Sequence, residues 1–177
     1  MQSPVRPATV ARREGLQFGV GLGILLSLNY VISVYTNAGQ LFFVVSLLSF
    51  GAYFWAGYRA GRVAHVTSAG LLAGLLTGVI SSVINLIVAI PITLLNVDKL
   101  RAAAQKIADG LKNNQTHYTN HSYVTVVITG LFLGIVLAAL FGLGLGAAGG
   151  AIGRARAPLP AQPYQESMYQ GAQPPQQ

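Results

Sequence analysis

No cysteine occurs in the chain, which excludes disulfides, thiolate nucleophiles and thiolate-held metal and leaves the redox compartment unread. Charge is almost as scarce. Asp, Glu, Lys and Arg make up 8% of the 177 residues, against about 25% in a soluble domain. None of them falls within the four long apolar runs at 16–35, 41–58, 69–95 and 123–152. Ionisable groups inside a membrane are the usual mark of proton relays and ion pathways. Their absence argues against a proton-coupled pump, an ion-driven carrier with a buried carboxylate and a rotor-ring subunit. No Ser/His/Asp arrangement presents itself either. The Gly-rich runs neither follow a strand nor precede Lys-Ser/Thr, so they are not phosphate loops. No catalytic residue is assigned, no cofactor is implied, and the expectation is that the chain is not an enzyme.

What remains is apolar. Hydrophobic residues make up 53% of the chain, and the mean hydropathy is +0.54. Runs of roughly 18 residues or more are candidates to span a bilayer. The four runs predict an all-α integral membrane four-helix bundle in one domain, residues 15–156, behind a basic N-tail of residues 1–14. The first run is too long for a cleaved signal and no clear Ala-x-Ala site follows it, so it reads as a retained span. Composition changes after Arg156. Residues 157–177 hold five prolines and six glutamines, cannot bury a core, and are expected to be disordered. Pro160 and Pro163 match the minimal polyproline-ligand pattern, as any Pro-rich tail does by chance.

The net charge of +7 does not point to nucleic acid, because the arginines sit at span ends. Arg6, Arg12 and Arg13 precede the first run, Arg59 and Arg62 follow the second, and Arg154 and Arg156 follow the fourth. Four spans put these seven on one side, against Lys99, Arg101, Lys106 and Lys112 in the long loop 96–122. The excess predicts a multi-pass protein of the cell membrane with both termini cytoplasmic and the arginines as headgroup anchors. Tyr35, Trp55, Tyr58 and Tyr123 lie at run ends, where interfacial aromatics are expected.

The fourth run carries a small residue at every fourth position: Gly130, Gly134, Ala138, Gly142, Gly146 and Gly150. On a helix this draws one smooth stripe along which two backbones approach closely, a main source of helix attraction in lipid. The third run opens with Gly70, Gly74 and Gly78, the first with Gly15, Gly19 and Gly23, and the second carries Ala52, Ala56 and Ala60. Eight glycines lie between Gly130 and Gly153. Each costs about 1 kcal/mol of helix propensity relative to Ala, so they need a packing reason. The stripes serve either a tight internal bundle or, in the fourth run, an oligomer interface; a pore lining is the third option.

A weak internal repeat is also present. Gly57-x-x-x-Gly61-Arg62 ends the first hairpin and Gly149-x-x-x-Gly153-Arg154 ends the second, consistent with two parallel hairpins. With the basic N-tail and a last helix that runs through Gly146 and Gly150 into basic residues, the chain resembles a broad group of small four-span bacterial membrane proteins. The resemblance covers the membrane part alone and implies an integral membrane location, with no activity.

Three further features stand apart. Residues 97–111 place Leu100, Ala103, Ala104, Ile107 and Leu111 at helical spacing, with charges between. This predicts a short amphipathic helix that lies on the membrane or extends the third span past Pro91, itself an expected kink. Asn29 and Asn85 are neutral polar residues at comparable depth, either bonded between helices or lining a solute path between the first and third spans. His117 and His121 have the spacing of a helical metal pair but lie in an Asn- and Thr-rich loop without a third ligand, so no metal is expected. The two sequons, at Asn114 and Asn120, carry meaning only in a eukaryote. The expected role is a structural or accessory membrane component that associates with itself or another membrane protein, with the lipid bilayer as its first partner. The alternatives are a small channel or carrier for a neutral solute, and a membrane-surface sensor acting through the loop helix.

Overall fold

The computed structural model describes residues 6–36, 41–110 and 118–158. These form five helices: α1 (Pro7–Thr36), α2 (Leu41–Ala64), α3 (Thr67–Leu95), α4 (Val97–Gly110) and α5 (Asn120–Ala155). No strand occurs among the described residues. Three helices, α1, α3 and α5, are long and apolar enough to cross a membrane. The fourth long helix, α2, has 24 residues and is not in that set.

Helix ends differ from expectation for local reasons. α1 starts at Pro7, well before Leu16, because proline at a first helical position has a preset φ and no donor to lose. Arg12, Arg13 and Glu14 therefore stand on α1 and not on a separate tail. α5 starts at Asn120 with a reciprocal cap: the Thr119 side chain accepts from the Ser122 amide, and the Ser122 side chain from the Thr119 amide. α2 stops at Ala64 because His65 takes a left-handed φ of 57°, which breaks the ladder and turns the chain into α3. Pro91 lies inside α3, which still runs on to Leu95.

α1, α2, α3 and α5 lie side by side and alternate in direction. Gly15, Gly19 and Gly23 of α1 face Leu76, Ile80 and Ile84 of α3 in the same order, so those two helices are parallel. Gly57 and Gly61 of α2 face Gly146 and Gly150 of α5, also in the same order. Gly74 and Gly78 of α3 face Gly142 and Ala138 of α5 in reverse, so α3 and α5 are antiparallel. The start of α1, the end of α2, the start of α3 and the end of α5 thus share one end of the molecule.

Side-chain size is sorted by depth in the opposite sense from a water-soluble core. Ala56, Ala60, Ala69, Ala73 and Ala89 are fully buried, and the largest fully buried side chains are Thr77, Thr93 and Ser81. Phe43, Ile87 and Phe132 are exposed, Phe43 to 70%. Small residues inside and large apolar residues outside is the arrangement expected where the surroundings are as apolar as the side chains.

α4 is a separate helix, broken from α3 at Asn96, whose φ of −119° and ψ of 20° leave the helical region. It does not continue α3. Asp98 accepts from Asn120 at 3.0 Å and the Gln105 side chain accepts from the Tyr118 amide at 2.9 Å, which ties α4 to the start of α5. Lys99 Nζ donates to the Val34 carbonyl at 2.8 Å and lies 5.6 Å from the Tyr35 ring. A cation on the unpaired carbonyls of the last α1 turn complements the helix dipole.

Candidate helix-packing site

The predicted stripe of α5 divides into two parts. In the lower part, a Cβ added at Gly146 would lie 2.7 Å from the Gly70 oxygen and 2.8 Å from the Gly74 Cα. At Gly150 it would lie 2.9 Å from the Gly70 Cα and 2.9 Å from the Thr67 oxygen. At Gly142 it would overlap the Gly74 carbonyl, and one at Gly78 the Ala138 carbonyl. Backbone cannot swing aside as a side chain can, so these positions admit hydrogen alone. In the upper part, a Cβ at Gly130 or Gly134 would meet nothing within 4 Å. Gly144, off the stripe, is equally open.

The α1 stripe works differently. A Cβ at Gly15 would lie 2.6 Å from the Leu76 Cβ, and those at Gly19 and Gly23 would lie 2.9 Å from the Cβ atoms of Ile80 and Ile84. Here glycine makes a notch for a side chain, whereas on α3 and α5 it makes room for a backbone.

The two Gly-x-x-x-Gly-Arg motifs noted in the sequence as an echo both lie on the α2–α5 contact, although their glycines do not meet one another. A Cβ at Gly57 would lie 2.6 Å from the Gly146 Cα, and one at Gly61 2.6 Å from the Gly150 Cα. Gly149 abuts the Phe54 carbonyl, and Gly153 the Tyr58 carbonyl. The Gly-x-x-x-Gly-Arg spacing was the signal that could have found this contact. The alanines at 56 and 60, read as the α2 stripe, are buried beside it.

Asn29 and Asn85 each have a buried Oδ1 without a hydrogen-bond partner. Asn85 lines a half-open groove of about 280 Å³ with Ser49, Tyr53, Ser82, Gly130 and Gly134. Asn29 is not among the lining residues of that groove. The other buried hydroxyls are turned inward on their own helices. Ser27 donates to the Gly23 carbonyl, Thr77 to Ala73 and Thr93 to Ala89, each at 2.8 Å. Hydroxyls also pair between helices: Tyr30 and Thr93 are 2.5 Å apart, and Tyr53 of α2 bonds to Ser81 of α3.

The predicted anchors Arg12, Arg13, Arg59, Arg62, Arg154 and Arg156 are exposed at the shared end. Arg59 has a partner the sequence did not announce. Its Nε lies 3.2 Å from Glu14 Oε2, and the Glu14 side chain is only 6% exposed. The pair is a charge contact without hydrogen-bond alignment, since Oε2 lacks a hydrogen-bond partner. Arg59 also covers the Phe18 ring at 5.9 Å. Trp55 and Tyr58 stack at 5.4 Å beside it.

Among the described residues no group of His, Asp and Glu is placed to hold a metal. His117, Pro160, Pro163 and the sequon at Asn114 lie outside the described residues. No family model matches this chain, and neither a curated protein nor a solved structure matches it.

Proposed function

We propose that the protein is a four-span membrane component that associates with itself or another membrane protein through the outer half of α5. In this reading α1, α2, α3 and α5 all cross the bilayer as a four-helix bundle closed by a glycine zipper at the arginine end. α2 counts as a span because its Gly57 and Gly61 lie directly on α5, and a helix packed that closely shares its neighbour's depth. The seven arginines gathered at one end support cytoplasmic termini.

One observation carries the proposal. Gly130 and Gly134 continue the stripe of Gly142, Gly146 and Gly150 in register, yet a Cβ at either would meet nothing within 4 Å, and both border the open groove beside Asn85. Each forfeits about 1 kcal/mol of propensity relative to Ala without return in the monomer. A second helix laid on this half supplies the return. The exposed residues around it, Val126, Leu133 and Leu137, give that helix an apolar margin.

The test is native mass in mild detergent or nanodiscs for wild type, Gly130→Leu and Gly134→Leu. A discrete oligomer or complex in wild type that falls to monomer in both variants, with thermal stability unchanged, is the expected result. Variants that keep the wild-type mass would overturn the interface. A wild type that is a lone monomer would favour the second reading: the groove beside Asn85, with its unpaired amide oxygen, as a site for a neutral polar solute.

A further inference from the structure

We infer that the face of α2 at the arginine end holds the phosphate of an anionic phospholipid. The inference rests on the membrane reading above but not on the oligomer interface. Trp55, Tyr58, Arg59 and Arg62 stand at helical spacing on one face of α2. With Val63 and Pro158 they line a groove of about 540 Å³. Pro158 belongs to the chain leaving α5, whose end Gly153 seats against the backbone of Tyr58 and Arg62.

The two guanidiniums differ in their support. Arg59 is held on its Nε edge by Glu14 and on one face by Phe18. Its Nη groups have no partner among the described residues. Arg62 is exposed and has no acidic partner there either. Glu14 offsets Arg59 without cancelling Arg62, so the groove keeps a net positive charge and presents planar guanidinium donors. A guanidinium fork matches phosphate oxygens.

Lipid, and not a free anion, is the source favoured by what lies next to the fork. Leu48 and Trp55 are exposed to 53% and 52% on the same helix, and Gly51 between them meets nothing within 4 Å. This open apolar lane leads from the guanidiniums toward the middle of α2, where an acyl chain would run. A basic pocket between helix ends above an apolar lane is the physical form of headgroup recognition.

The experiment is native mass spectrometry of the full-length protein from nanodiscs of equal phosphatidylglycerol and phosphatidylcholine. The variants are Arg62→Gln and, as a charge-matched control, Arg156→Gln, which lies outside the groove. Wild type and Arg156→Gln should retain phosphatidylglycerol over phosphatidylcholine. Arg62→Gln should lose at least fivefold of that excess while keeping the wild-type oligomeric state. Equal loss in both variants would reduce the effect to general surface charge and overturn the site. So would equal retention of the two lipids by wild type. Inorganic phosphate that displaced the lipid completely at millimolar concentration would assign the groove to a free anion instead.

Discussion

Glycine at positions 57, 61, 74 and 146 is required by distance and not by backbone angle. No glycine of the described residues has a positive φ, so the usual conformational argument for glycine does not apply. What applies is that a neighbouring backbone occupies the space of the missing Cβ. Charge shows a similar dependence on place. Glu14 is buried, whereas its partner Arg59 is about half exposed. Removing the arginine strands a buried carboxylate, but removing the carboxylate leaves an arginine that still reaches water or headgroups. Arg59→Gln should therefore destabilise the protein by roughly 2 kcal/mol, with Glu14→Gln costing much less. Thermal melting of both variants in one detergent checks this, and equal losses would contradict it.

At the scale of elements, α5 is one continuous helix with two different jobs. From Ala138 to Gly153 the residues of the stripe, with Gly149 and Gly153, abut α2 and α3; a Cβ at Gly130 or Gly134 would meet nothing within 4 Å. Substitution should divide along the same line. Gly142→Leu and Gly146→Leu force a side chain into backbone and should cost 3 kcal/mol or more, beyond the usual overpacking loss of about 1–3 kcal/mol. Leu143→Ala, on a half-buried position, should cost less, about 1 kcal/mol. Melting temperature and native mass of the three proteins test this, and wild-type behaviour in all would remove the zipper. α4 spans Val97–Gly110, where periodicity placed an amphipathic helix. Ala103 and Ile107 of its apolar face are exposed and Ala108 is buried. The hydrogen bonds from Lys99, Asp98 and Gln105 to other elements set its rotation, and hydropathy alone does not contain them.

The whole molecule is tight at one end and looser at the other. At the arginine end Gly57, Gly70, Gly146 and Gly150 bring three helices within backbone contact. At the opposite end Gly130 and Gly134 border an open groove. The proposed topology is directly testable because the chain has no cysteine of its own. Single cysteines introduced at Gln2 and at Ala102 should react with a membrane-impermeant maleimide from opposite sides. Ala102 should label in intact cells, and Gln2 only after permeabilisation. The reverse pattern would invert the orientation, and labelling of both from outside would require an even number of spans between them, as when α2 does not cross.

The sequence by itself determined helicity, the long charge-free apolar runs and the four-residue spacing of small residues. Each of these follows from composition and from the 3.6-residue period, which are local properties. Only the tertiary structure decided which half of the α5 stripe is used. That choice depends on where α2 and α3 lie, and Gly134 and Gly142 read identically along the chain. The same holds for Glu14 and Arg59, forty-five positions apart in the chain. Their pairing comes from the antiparallel packing of α1 on α2, a relation between helices that no local pattern encodes.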